Sequence, residues 1–245
     1  VAIAVALVAE IACAAAVLVL TPTATTGSDR LAARIHADIG PAVEAIEKFW
    51  DRPWNRDVGV VTTKDQPEFV VQAHLDPAGR WDDIAAVAVA DDVDLASGRV
   101  GGGRVVFAPG ASAMSDAALR VVVTHELFHL AARGATATDA PRWLTEGVAD
   151  YVARPPAPVP PGMAGRGEFP ADADLDGPGP ARSAGYDRAW WFARFVAADF
   201  GDDGLLRLYH HACGPGHGSF ADAVRPALGV DIGELRSRWA RWLSR

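Results

Sequence analysis

His125, Glu126 and His129 stand together as His-Glu-Leu-Phe-His inside an apolar run, and Glu146 follows seventeen positions after the second histidine. Four residues apart on a helix, two imidazoles project from one face a turn apart and can share one metal ion. The glutamate between them faces the same cleft without having to be a ligand. Neutral nitrogen donors, an open coordination position and a carboxylate placed to take a proton from water are the parts of a zinc hydrolase. The competing reading is a buried helix whose histidines only hydrogen-bond in the core. That reading gives no reason for a glutamate between two histidines at ligand spacing.

The elements needed to hold these groups are legible around them. Residues 117–132, AALRVVVTHELFHLAA, form a helix-permissive stretch with Ser115 and Asp116 as N-cap candidates and Gly134 as a stop. A catalytic zinc takes three protein ligands, and Glu146 is the choice for the third. Asp139-Ala140-Pro141 has turn chemistry, and Pro141 suits the opening of a second helix through Tyr151. Asp150 lies one turn after Glu146 on the same face. There it can accept the other ring N–H of a liganding histidine, fixing the tautomer and strengthening the donor.

With His125, Glu126, His129, Glu146 and Asp150 in place, the chain resembles the gluzincin metallopeptidases, the thermolysin-like superfamily with HExxH on one helix and a glutamate ligand on the next. Pro141 to Tyr151 looks in particular like the peptidase MA-like pattern Pro-x-Trp-Leu-x-Glu-Gly-x-Ala-x-Tyr. The likeness is specific over about 105–152, looser toward the C-terminus, and rests on layout alone before residue 100. It implies that His125, His129 and Glu146 bind Zn2+, that Glu126 is the general base, and that Asp150 supports a ligand from behind. Acting on peptide bonds follows from the same resemblance.

Gly101-Gly102-Gly103 followed by Arg104 to Ala108 reads as a glycine turn and a short apolar strand ended by Pro109. In similar enzymes such a strand borders the cleft and pairs with extended substrate backbone; an ordinary sheet strand reads the same way. A tetrahedral intermediate also needs a donor for its oxyanion, and Tyr186, where a loop enters a helix, is the choice among three tyrosines. Tyr151 and Tyr209 read as packing residues. His210, His211, Cys213 and His217 form a second histidine-rich patch, but no carboxylate completes a ligand set and the reading is a polar helix end. No acidic Gly-x-Met-Glu-Asn-like element precedes the histidines to capture a substrate amine, which favours an endopeptidase over an aminopeptidase.

The 245 residues are half apolar, enough for one sizeable domain, and the net charge of −8 argues against nucleic acid and anionic lipid as partners. Val1 to Leu20 is apolar except for Glu10, and with the following Thr/Pro-rich stretch it reads as a signal or membrane-anchor segment plus linker over 1–27. The expected location is therefore extracytoplasmic, secreted or held by a single span through residues 1–20. Residues 28–245 would form a zincin-like domain, with helix and sheet in 28–110 and a helical lobe carrying the site in 111–245. Helical spacing runs over 29–50 with a break at Gly40-Pro41. Strand-like runs follow at 58–62, 68–74, 84–90 and 103–108. Helices are then expected at 116–133, 142–153, 187–200, 203–212, 219–228 and 231–243. This order gives an α+β fold, a small N-terminal mixed sheet followed by a helical lobe, behind an N-terminal apolar helix. The Pro/Gly/Asp-rich run 155–180 is too long for a plain connector. The functional expectation is a zinc metallopeptidase acting on a peptide or protein; the alternative is an inactive, zinc-stabilised binding module at the cell surface.

Overall fold

The computed structural model describes residues 7–9, 27–158, 167–177 and 179–244. Packing of the chain defines two compact units, Val1–Asp94 with Arg99–Ala131 and Leu95–Gly98 with Ala132–Arg245. The fold class is α+β, with a small mixed sheet in the first unit and helices through the second.

The first unit holds strands β1 (Leu7–Ala9), β2 (Gly59–Thr62), β3 (Ala86–Val89) and β6 (Arg104–Phe107) in the order β1-β3-β6-β2. β2 runs parallel to β6, whereas β3 is antiparallel to both β6 and β1. Successive residues of β3 face opposite sides of the sheet. Val87 and Val89 join Val106 and Ala108 in a core with Phe69, Ala73, Leu75 and Ile84. A two-stranded hairpin, β4 (Asp92–Asp94) with β5 (Arg99–Gly101), separates β3 from β6. Gly102 follows it at φ +64, where a Cβ would lie 2.3 Å from Asp91 Oδ2, so the glycine turn seen in the sequence is required at this residue.

Helix α1 (Gly27–Phe49) runs through Pro41 where the sequence suggested a break. Phe69 belongs to helix α2 (Gln66–Gln72), not to a strand, and this overturns the β reading of 68–74. The aromatic and β-branched run Phe69-Val70-Val71 favours a strand locally. Capping wins: Asp65 accepts from the Glu68 amide at 2.9 Å, the Glu68 carboxylate accepts from the Lys64 amide at 2.9 Å, and Pro67 sits in the first turn.

The second unit contains α4 (Arg142–Ala153), α5 (Pro180–Cys213), α6 (Phe220–Leu228) and α7 (Ile232–Leu243). Gly201, at the non-helical φ 77, ψ 168, divides α5 into two helices, in agreement with the helices expected at 187–200 and 203–212. Phe169, Phe192, Phe195, Phe220 and Trp239 pack edge to face or tilted at centroid separations of 5.4–5.9 Å. The described part of the 155–180 run belongs to this core: Arg188 and Trp239 both donate to the Glu168 carbonyl, and Arg194 donates to the Ala157 carbonyl.

An N-terminal apolar helix is not supported. Within 1–26 the described residues are 7–9, and they form β1; the remainder of the expected signal or anchor, with Cys13, lies outside the described residues. No described helix is long and apolar enough to cross a membrane. Replacing Asp65 with Ala removes the α2 cap and should cost about 1 kcal/mol. Urea unfolding of the full chain checks it, and an unchanged midpoint contradicts the capping account.

Candidate metal centre

Helix α3 (Asp116–Ala132) begins at Ser115, whose Oγ accepts from the Ala118 amide at 3.2 Å. It is apolar almost all round: Leu119, Val122, Val123, Leu127 and Phe128 are each at most 2% exposed. Phe128 meets Trp50 edge to face at 5.6 Å and Phe49 at 6.1 Å, which anchors the helix to the end of α1. A helix hydrophobic on every side is a buried one, and its polar residues go inside with it. His125 is 1% exposed, Glu126 0% and His129 2%.

His125 Nε2 and His129 Nε2 lie 2.9 Å apart, with ring centroids at 4.7 Å. Two nitrogens on one tetrahedral zinc at about 2.05 Å would be separated by about 3.3 Å, so the pair needs to open by only a few tenths of an ångström to chelate. The Glu126 carboxylate points to the sheet. Its Oε2 accepts the Ala88 amide of β3 at 2.7 Å, a buried charge-assisted bond that holds the side chain in one orientation. Glu126 thus contacts β3, while the 103–108 strand, read from the sequence either as a substrate-pairing strand or as an ordinary sheet strand, is β6 inside the sheet. β6 has both edges occupied, by β2 and β3, and has no ladder groups left for an extended peptide.

In the second unit, Glu146 lies on α4 at 2% exposure and Asp150, one turn on, at 5%. Pro141 precedes the helix as expected, but the side-chain cap comes from elsewhere: Asp172, in a 3-10 turn of the 155–180 run, accepts from the Trp143 amide at 2.9 Å. Gly147 explains the Glu-Gly pair. A Cβ there would lie 2.5 Å from the Ala189 carbonyl oxygen of α5, so glycine lets the two helices approach. Gly134 has a related role rather than a stop by left-handed backbone: a Cβ would lie 2.1 Å from the Gly98 carbonyl oxygen.

One ligand atom from each of His125, His129 and Glu146 lies within 4.8 Å of the others, and all three residues are buried. This group could hold a metal ion, and it is the one such cluster found among the described residues. Two imidazoles and one carboxylate are the donor set of a borderline cation such as zinc.

Tyr186, on α5, is 4% exposed. Burial opposes the charge of Arg142, but Asp176, 3.0 Å away, with lesser contributions from Tyr186 and Glu146, raises its pKa. Tyr151 is bound at 2.6 Å to Asp202. Tyr209 is more than packing: its hydroxyl pairs with Thr136 Oγ1 at 2.8 Å. Burial first, then Cys213 and Glu146, raises its pKa, which keeps it neutral. The sequence carried no sign of this, because 63 residues separate Tyr209 from Glu146. In the histidine-rich patch, His217 bonds the Gly218 carbonyl through Nδ1 at 2.7 Å, and its Nε2 lies 3.4 Å from Asp139. Burial raises the Cys213 thiol, which disfavours the thiolate a metal would need.

No protein-family model matches the chain, and no curated protein or solved structure is significantly similar to it.

Gly147→Ala should lower stability by about 1–3 kcal/mol, because backbone rather than a flexible side chain blocks the added methyl. Thermal unfolding of the full chain measures this, and an unshifted Tm contradicts the close-approach argument.

Proposed function

We propose that this chain is a zinc-dependent peptide hydrolase of the gluzincin type, an endopeptidase that acts on a peptide or protein outside the cytoplasm. The observation that carries the reading is the buried His125, His129 and Glu146 group, with Glu126 in the same helical turn as the histidines. A divalent ion held by these three residues would polarise the scissile carbonyl and acidify water. Glu126 would take the proton from that water and pass it to the leaving amine, which requires the carboxylate to be fixed in direction and ionised at the start. The Ala88 amide supports the first requirement. Tyr186 would donate its phenolic proton to the oxyanion as a neutral hydrogen-bond donor. Asp150, one turn from Glu146, would orient a liganding histidine.

One observation favours a second reading. His125, Glu126, His129 and Glu146 are all 2% exposed or less, and a closed site of this kind suits a metal that stabilises a binding module at the cell surface. Hydrolysis from this arrangement requires the site to open.

Glu126→Gln should keep one equivalent of zinc and lose turnover by several orders of magnitude, while His129→Ala should lose the metal. Metal analysis and cleavage of a peptide library with and without chelator read both. Cleavage retained in Glu126→Gln would falsify the general-base assignment. One equivalent of zinc with no cleavage of any peptide by the unsubstituted chain would select the binding module.

A further inference from the structure

Arg154 closes the exposed end of the face that carries Glu146 and Asp150. These three residues stand four apart along α4 and its C-cap, so each lies about one turn beyond the last. The Arg154 backbone amide donates to the Asp150 carbonyl at 2.8 Å, and its Nη1 donates to Asp150 Oδ2 at 3.1 Å. Nη2 donates to Asp187 Oδ1 of α5 at 2.8 Å, and the guanidinium lies 3.9 Å from the centroid of the Trp190 ring. Three side-chain contacts, to Asp150, Asp187 and Trp190, fix the orientation of the guanidinium. Burial works against its charge, but Asp150 and Asp187 outweigh it and hold Arg154 firmly protonated.

We infer that Arg154 is a positioning residue for the metal centre, fixing the buried Asp150 carboxylate in direction one turn beyond the ligand Glu146. The inference rests on the metal-binding reading of His125, His129 and Glu146. Asp150 is 5% exposed, and a carboxylate buried to that degree needs hydrogen-bond partners to hold it. Arg154 supplies such a partner from the side facing away from Glu146, where a guanidinium does not compete for the metal. Asp187 and Trp190 hold the guanidinium from α5, so the close packing of α4 on α5 also aims this arginine.

The test separates positioning from stapling. Zinc affinity of the full chain is measured by chelator competition, and Tm is measured without metal, for Arg154→Met, Arg154→Lys, Asp150→Asn and the Asp150→Asn/Arg154→Met pair. Removing an outer partner of a metal ligand costs about 10–100-fold in affinity. Arg154→Met should weaken zinc binding by that factor, and Arg154→Lys should recover part of it. The double variant should bind no more weakly than Asp150→Asn alone, because both changes break one connection. A lowered Tm with zinc affinity within twofold of the unsubstituted chain overturns the inference and leaves Arg154 a staple between helices. If Arg154→Met does not fold, Arg154→Gln, a neutral donor of similar reach, is read by the same two outcomes. Failure of the unsubstituted chain to bind one equivalent of zinc, or unchanged binding by His129→Ala, would instead remove the metal reading itself.

Discussion

Burial of ionisable groups is the constraint on which the site depends. Two imidazoles and the Glu126, Glu146 and Asp150 carboxylates are withdrawn from water to 5% exposure or less. An uncompensated buried charge costs several kcal/mol, comparable with the whole stability of a domain, so each must be met by hydrogen bonds or opposite charge. Glu126 is met by the Ala88 amide and Asp150 by the Arg154 guanidinium. The histidines face each other at 2.9 Å, and with Glu146 they form a group that could hold a cation.

Close backbone approach is the second condition, and small residues provide it. Gly147, next to Glu146, admits the Ala189 carbonyl, and Gly134, after α3, admits the Gly98 carbonyl. Around Gly147 the ring stack of Phe192, Phe195 and Trp239 and the bonds to Glu168 draw the helices of the second unit together. Packing of this kind locks side chains into single rotamers, which a ligand set and its supporting groups need more than net stability.

The helices bearing the site were legible because their signals are local. Ser115 caps α3 and Pro141 precedes α4, and the four-residue spacings His125/His129 and Glu146/Asp150 place each pair on one face whatever surrounds them. Reading failed where two local signals competed. In residues 66–72 the apolar run of a phenylalanine and two valines pointed to a strand, and the Asp65 cap on the Glu68 amide, with Glu68 accepting from the Lys64 amide, made a helix. The N-terminal apolar run was read as a helix from hydropathy, which measures burial and not backbone geometry; its described residues pair with β3 as a strand. The placement of β3 and β6 side by side inside the sheet, between β1 and β2, was also hidden, since strand order depends on pairings distant in sequence.

By itself the sequence determined the types and spacing of the candidate ligands along each helix and the carboxylate between two histidines, because helical periodicity converts spacing into a shared face. Only the tertiary structure decided that His125, His129 and Glu146 are a buried group that could hold a metal ion, that Glu126 is held by β3, that Asp172 caps the helix bearing Glu146, and that Arg154 bonds Asp150. Each of these depends on residues 17 to 38 positions apart, or on a helix-terminal residue held in place by Asp187 and Trp190. Such contacts follow from how apolar faces pack and which buried charges must be answered, and no local pattern along the chain encodes them.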